Sequence, residues 1–275
     1  SLQYVGAGSG VWAAQLVGEQ ISIASQNSVA YASGVSYWMG KDKFYKYDGS
    51  TQPLQCDLRK YVFTDFNTEQ YNQVFGGSNE AFNEVWWFYC SSSATDNDRY
   101  VVYNYLEGIW YYGSMARSAW LDSGLRAFPL AATFNSVLVN HEEGVDDNET
   151  ATTAAISAFI TSADFDLEDG DRYMLMSRVL PDVSFEGSTA SNPAITMSFF
   201  PLTSSGSGYN DPTSESGVST GTATRSATSP VEVYTSQIHT RVRGRQVSMK
   251  IESSAEGVQW QSGAPRIDLR PDGRR

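Results

Sequence analysis

The densest run of carboxylates in the chain is Asp164-Phe165-Asp166-Leu167-Glu168-Asp169-Gly170-Asp171. Such a run first suggests calcium, a hard cation that takes oxygen ligands. The spacing does not carry it. Counted from Asp164, an EF-hand loop needs Gly where Asp169 stands and Glu where Leu175 stands. Asp164, Asp166, Asp169 and Asp171 are therefore a calcium candidate ranked below a plain β-turn. His141-Glu142-Glu143 lacks the second histidine of His-Glu-x-x-His, and His239 is the one other histidine, so ligands for zinc are too few. No P-loop or dinucleotide fingerprint occurs. Carboxylates are many, but no order of residues singles out an acid–base pair, because the required separation of ~5–9 Å is a property of space. The expectation is a protein that is not an enzyme and carries no cofactor.

Two further groups have chemistry. Trp86-Trp87, Trp110-Tyr111-Tyr112 and Trp120 are aromatic enough to stack on sugars, but aromatics clustered within strands more often fill a core. Arg241-Val242-Arg243-Gly244-Arg245 is a basic triplet at strand spacing, so Arg241, Arg243 and Arg245 are expected on one face. Arginines so stacked need carboxylates or phosphates as acceptors. The net charge of −12 favours a protein partner, and the triplet is read as a subunit interface.

The elements that position these residues read as strands. Short β runs alternate with turn residues, and helix signals are almost absent. Asn148–Ile160 is the best helical stretch, yet short and uncapped, and a strand or loop is expected there. Glu69–Phe75 suits one helical turn. In the first half, Ser36–Met39, Lys43–Tyr47, Gln52–Cys56 and Tyr61–Phe63 read as one four-strand unit. Asp48-Gly49 looks like a type I′ hairpin turn. Val85–Cys90, Tyr100–Tyr105 and Ile109–Tyr112 belong to a second unit, and further strands are expected at Ala116–Leu121, Leu130–Phe134 and Val137–Asn140. Four-strand meanders that repeat in this way suggest propeller blades, but two blades cannot close a propeller. After Glu149 the character changes. Ile156–Phe165, Tyr173–Pro181, Ala194–Phe200, Val231–Thr235, Ile238–Arg243, Gln246–Glu252 and Arg266–Leu269 suit an antiparallel sandwich. The expected fold class is all-β, antiparallel, with propeller-like meanders over residues 1–150 and a sandwich over 151–275. The latter is interrupted at 203–230 by a Ser/Gly/Thr-rich insertion that cannot bury a core.

Composition fits. Aromatics are 13% of the 275 residues and charged residues only 18%, which suits strands and surfaces covered by partners. The overall acidity disfavours a general nucleic-acid binder, which needs a basic face. The charge is split: Ile238–Arg275 carries +4 and the rest −16. Opposite charges on two parts of a chain can pair within a subunit or between neighbours. Cys56 and Cys90 form no CxxC pattern and read as two free thiols. No apolar run is long enough to span a membrane.

Several stretches, taken in order, resemble one phage family. They are Trp38–Gly49 (WMGKDKFYKYDG), Val62–Asn67 (VFTDFN), Asn83–Phe88 (NEVWWF), Asp98–Tyr105 (DRYVVYNY) and Arg117–Asp122 (RSAWLD). His141–Gly144 (HEEG), Asp169–Tyr173 (DGDRY), Arg243–Arg245 (RGR) and the closing Trp260–Arg275 follow. In this order the chain resembles the C-terminal portion of tail nozzle, tail tubular and packaged-DNA stabilisation proteins of tailed phages. The resemblance implies a structural subunit of the virion tail, assembled in the host cytoplasm. It implies a homo-oligomeric ring, a hexamer, that lies below the adaptor, neighbours tail fibres and touches viral DNA in passage. Such a ring retains packaged DNA and opens for ejection, and the 203–230 loop, which includes Tyr209, Asn210 and Asp211, would serve as gate or contact. The alternative is a carbohydrate- or receptor-binding tail module, which would need exposed aromatics in a groove. A polysaccharide-degrading enzyme would instead need a cleft with two facing carboxylates, one with a raised pKa.

Overall fold

The computed structural model describes residues 2–4, 6, 11–14, 16, 18–122, 124–168, 170–202 and 226–273. The fold is all-β, with 47% strand and 5% helix. The chain divides into two compact units at Glu143/Gly144, seven residues earlier than the composition shift suggested.

Unit 1 opens with a hairpin of β1 (Leu2–Tyr4) and β2 (Trp12–Ala14). A four-strand meander follows: β3 (Val29–Ala32), β4 (Val35–Met39), β5 (Phe44–Tyr47) and β6 (Thr51–Leu54), each paired antiparallel with the next. Helix α1 (Arg59–Asp65) and a 3-10 turn at Tyr71–Gln73 lead to a second meander. Its strands are β7 (Phe75–Asn79), β8 (Glu84–Tyr89), β9 (Arg99–Asn104) and β10 (Ile109–Ser114). A small sheet of β11 (Ala119–Leu121), β12 (Leu130–Ala132) and β13 (Leu138–Asn140) closes the unit.

The two meanders pack through one apolar cluster. Phe44 of β5 touches the rings of Trp87 and Trp110 at 4.9 and 4.8 Å, and Tyr37 of β4 meets Tyr103 at 6.0 Å. The strand β8 is buried at every position, so its two faces serve two cores. Trp87 turns toward the first meander. Trp86 and Phe88 turn the other way, where Trp120 of β11 stacks on Trp86 at 5.2 Å. Three antiparallel sheets are thus layered face to face in chain order, as propeller blades are, but the stack does not close.

Three expectations are corrected here. Tyr61–Phe63 lies in α1, not in a strand, and β3 is the first strand of the first meander. The second meander takes its remaining strand from β7, whose sequence FGGSN has no alternation to read, while Ala119–Leu121 pairs in the small sheet. The Asp48-Gly49 hairpin exists, but only Gly49 has a positive φ, at 116°, so the turn is not type I′.

Unit 2 is a sandwich. Its strands are β14 (Asp146–Asp147), β15 (Ala154–Ala155), β16 (Ala158–Thr161), β17 (Phe165–Asp166), β18 (Met174–Leu180), β19 (Val183–Ser184), β20 (Ala194–Leu202), β21 (Ala227–Glu232), β22 (Ile238–Gly244), β23 (Gln246–Ser253), β24 (Gln261–Ser262) and β25 (Arg266–Pro271). One sheet runs β16-β23-β20-β21, with β17 also on β23, and the other β22-β18-β25. Met176, Val179 and Val242 of the second sheet share a core with Met197, Phe199, Val247 and Ile251 of the first. The strand β21 begins at Ala227, inside the stretch assigned to the insertion, and carries Pro230 on an edge of its sheet, where a missing N–H is tolerated.

Candidate functional site

The residues of unit 1 that chemistry would most readily use converge beside the Trp86–Trp120 stack. Glu84 opens β8 and is buried. Its two oxygens are both engaged: one accepts from Trp86 Nε1 at 2.8 Å, the other from the Tyr111 hydroxyl. Asn79, at the end of β7 and fully buried, donates its amide to Glu84 at 3.5 Å and to Glu142 Oε1 at 3.2 Å. Two carboxylates therefore meet across one amide. Burial, and then the charge of Glu84, push the Glu142 carboxyl above the ordinary Glu range. Burial and the bond to Glu84 push the Tyr111 hydroxyl up as well.

Glu142 is held where it is by backbone geometry. It follows β13 with φ 61°, in the left-handed region. The neighbouring His141 ring lies 4.6 Å from Trp120, and its Nε2 accepts from Arg117 Nε at 3.0 Å. An accepting Nε2 leaves the proton of a neutral imidazole on Nδ1.

The arrangement has one feature of an acid–base site, a raised carboxyl facing a second carboxylate. It lacks the cleft. A polar pocket of about 320 Å³ lies nearby, lined by Ser78, Asn79, Asp122, Arg126 and neighbours, but neither Glu84 nor Glu142 lines it. With both Glu84 oxygens occupied, the pair is a polar knot, buried at Glu84 and exposed at Glu142, that ties β7, β8, β10 and the turn after β13 together. Nothing in the sequence could have found it, because Glu84 and Glu142 come together only through the fold.

The aromatics considered as sugar platforms are, apart from Tyr112, packed in or against cores. Trp86 and Trp87 are buried, and Trp110 packs on the first cluster with its Nε1 bonded to Gln55 O at 2.9 Å. Tyr112 lies against Tyr61 at 4.3 Å. Cys56 and Cys90 are free thiols; burial pushes them up to about 12 and about 11, so neither is a thiolate at neutral pH.

The acidic run in unit 2 forms β17 and a turn closed by Gly170 N on Leu167 O at 3.2 Å. Asp166 accepts from Gln246, Asp171 lies 3.7 Å from Arg172, and Asp164 is exposed. Asp169 lies outside the described residues. Among the described residues no three His, Cys, Asp or Glu side chains converge as a metal site.

The arginine triplet is divided by the end of β22. Arg241 and Arg243 are exposed on one face. Arg245 falls past the strand, beyond Gly244, where any Cβ would approach Leu202 O to 3.0 Å and Pro201 Cβ to 2.9 Å. The alternation that would place Arg245 with the other two stops at that bend. Arg243 and Arg245 still share the ring of Tyr173, at 4.2 and 5.2 Å, and Arg243 pairs with Asp272.

Tyr209, Asn210 and Asp211 lie outside the described residues. So does Gly217-Val218-Ser219-Thr220-Gly221, whose spacing is that of a nucleophile elbow but which sits in a Ser/Thr/Gly-rich stretch where the spacing arises from composition. Among the described residues no helix is long and apolar enough to cross a membrane. The chain matches no protein-family model and no curated protein.

Proposed function

We propose that the chain is a non-enzymatic structural subunit of a bacteriophage tail, part of a nozzle or tube ring around the DNA channel that retains packaged DNA and permits ejection. One observation carries this reading: the stretches that resemble the tail family are used to build the scaffold. WMGKDKFYKYDG forms the β4–β5 hairpin, NEVWWF enters the doubly buried β8, and DRYVVYNY forms β9. RSAWLD forms β11, HEEG supplies the Glu142 knot, and RGR makes the β22–β23 bend. Residues devoted to sheet order and core packing suit a component whose work is shape.

One further feature supports it. The split of charge suits a contact between unlike surfaces of adjacent subunits, the kind that builds rings. The reading as a carbohydrate- or receptor-binding module has less to rest on, because Trp86 and Trp87 are buried and Trp110, Tyr111 and Trp120 pack against the two clusters.

The test is the mass of the purified chain in solution, with negative-stain imaging of the same sample. A ring of about six subunits is expected. A chain that stays monomeric and fails to enter purified tails in which its gene has been replaced would overturn the reading, and glycan binding by that monomer would favour the module.

A further inference from the structure

The outward face of the β22-β18-β25 sheet is unusually basic for so acidic a chain. In its register Arg243, Leu175 and Arg270 lie abreast, and so do His239, Arg178 and Asp268. Alternation places Arg241 on the same face of β22 and Arg266 on the same face of β25, because Val242, Ile267 and Leu269 turn into the core. Five arginines thus share one sheet face. Among the described residues, Asp268 lies 2.7 Å from Arg178 and Asp272 pairs with Arg243. Arg241, Arg266 and Arg270 are exposed and have no carboxylate in ion-pair reach among the described residues.

The other sheet of the same unit has the opposite character at one edge. From Gly144 to Asp171 the chain carries eight carboxylates and no lysine or arginine. This stretch supplies β14, in a separate two-stranded sheet with Asp146 and Asp147, and then β16 and β17, which form the edge beside β23; Asp164, Asp166, Glu168 and Asp171 stand in or next to β17. Ile156 and Ile160 there are 52% and 55% exposed. Among the strands of the sheet β16 pairs with β23 alone, so its outer backbone side faces no strand.

We infer that the arginine face of one copy docks on the acidic 144–171 edge of a second copy. The inference rests on the reading of the chain as a self-assembling tail subunit and names the contact. Three observations choose a second copy as the occupant. The complementary surface belongs to the same molecule, so it is present at equal concentration. The apolar Leu175 and Leu180 among the arginines match the exposed isoleucines of the edge. A phosphate polymer would meet a chain of net charge −12. Face and edge are different surfaces, so the contact repeats in one sense from copy to copy and closes into a ring or runs on as a filament.

The experiment uses two full-length double variants, with sedimentation velocity as the readout and circular dichroism as the fold control. Arg241→Glu with Arg270→Glu puts two carboxylates on the face. Asp164→Arg with Glu168→Arg puts two arginines on the edge. Each alone is expected to lose at least about tenfold in assembly constant, and an equimolar mixture is expected to regain assembly, because the glutamates introduced on one variant's face then meet the arginines introduced on the other's edge. Assembly should also weaken as salt rises. If either variant alone assembles like the wild type, the contact lies elsewhere while the ring reading stands. If the wild type stays monomeric and does not enter tails, both readings fall. If the wild type binds a short DNA duplex through Arg241 and Arg270 and the mixture shows no rescue, the face is a phosphate site and the second-copy contact is overturned.

Discussion

Glu142 and Glu84 compete for the one side-chain amide of Asn79, so two like charges share a donor inside a partly dry site. The fold therefore favours a proton on Glu142. Its folded pKa lies above its unfolded value, so the stability it contributes is full below the unfolded value and is lost as pH rises through the folded one. As pH rises, the carboxylate that forms on Glu142 loses solvation and is repelled by the charge of Glu84. Glu142→Gln keeps the shape and the acceptor oxygen and removes the charge. It is expected to raise Tm at pH 7 by on the order of 1–3 °C. The gain should vanish below about pH 4, where the wild-type side chain is itself protonated. Thermal scans of both proteins across pH check this; a gain that persists at low pH would mean that the like-charge contact is not its source. No sequence pattern pointed to this pair. Asn79 ends a glycine-containing strand with no visible period, and Glu142 sits in a turn.

At the scale of elements, the alternating aromatic runs were legible because strand period and turn residues agreed. Gly108, with φ 72°, accepts the bend after β9 while Asn104 Oδ1 takes the N–H groups of Leu106 and Glu107. The Arg59–Asp65 helix was hidden because Tyr61, Val62 and Phe63 are strand formers, and Val62 is held by tertiary burial. The strand β7 was hidden by its glycines, and the structure explains them. A Cβ on Gly77 would come within 2.3 Å of the Trp120 ring, so the small residue is what lets the third sheet lie on the second. Gly77→Ala is expected to destabilise unit 1 by about 1–3 kcal/mol through overpacking. It should also change the near-ultraviolet signal of the Trp86–Trp120 stack, which circular dichroism would read. An unchanged signal would place Trp120 elsewhere.

The whole molecule has two compact units with separate cores: Phe44, Trp87 and Val101 in one, Met176, Phe199 and Val242 in the other. Each core is large enough to drive its own folding transition. Phe44→Ala should cost about 3–5 kcal/mol and lower the calorimetric transition of unit 1 while leaving a second transition in place. A single transition that moves as one would show that the units unfold together. The division itself was visible as a change of composition near residue 150, but the true boundary follows β13, where the last layer of the aromatic stack ends.

The two edges of the five-stranded sheet are unequal. β21 carries Pro230, which gives an incoming strand no hydrogen to bond at that point, whereas β16 presents an uninterrupted backbone. Strand addition is therefore polar: a misassembling copy that extends this sheet will grow it from β16 and stop at β21. Any β-sheet aggregate seeded by this unit should be blunted by a proline placed in β16 and be indifferent to one added in β21.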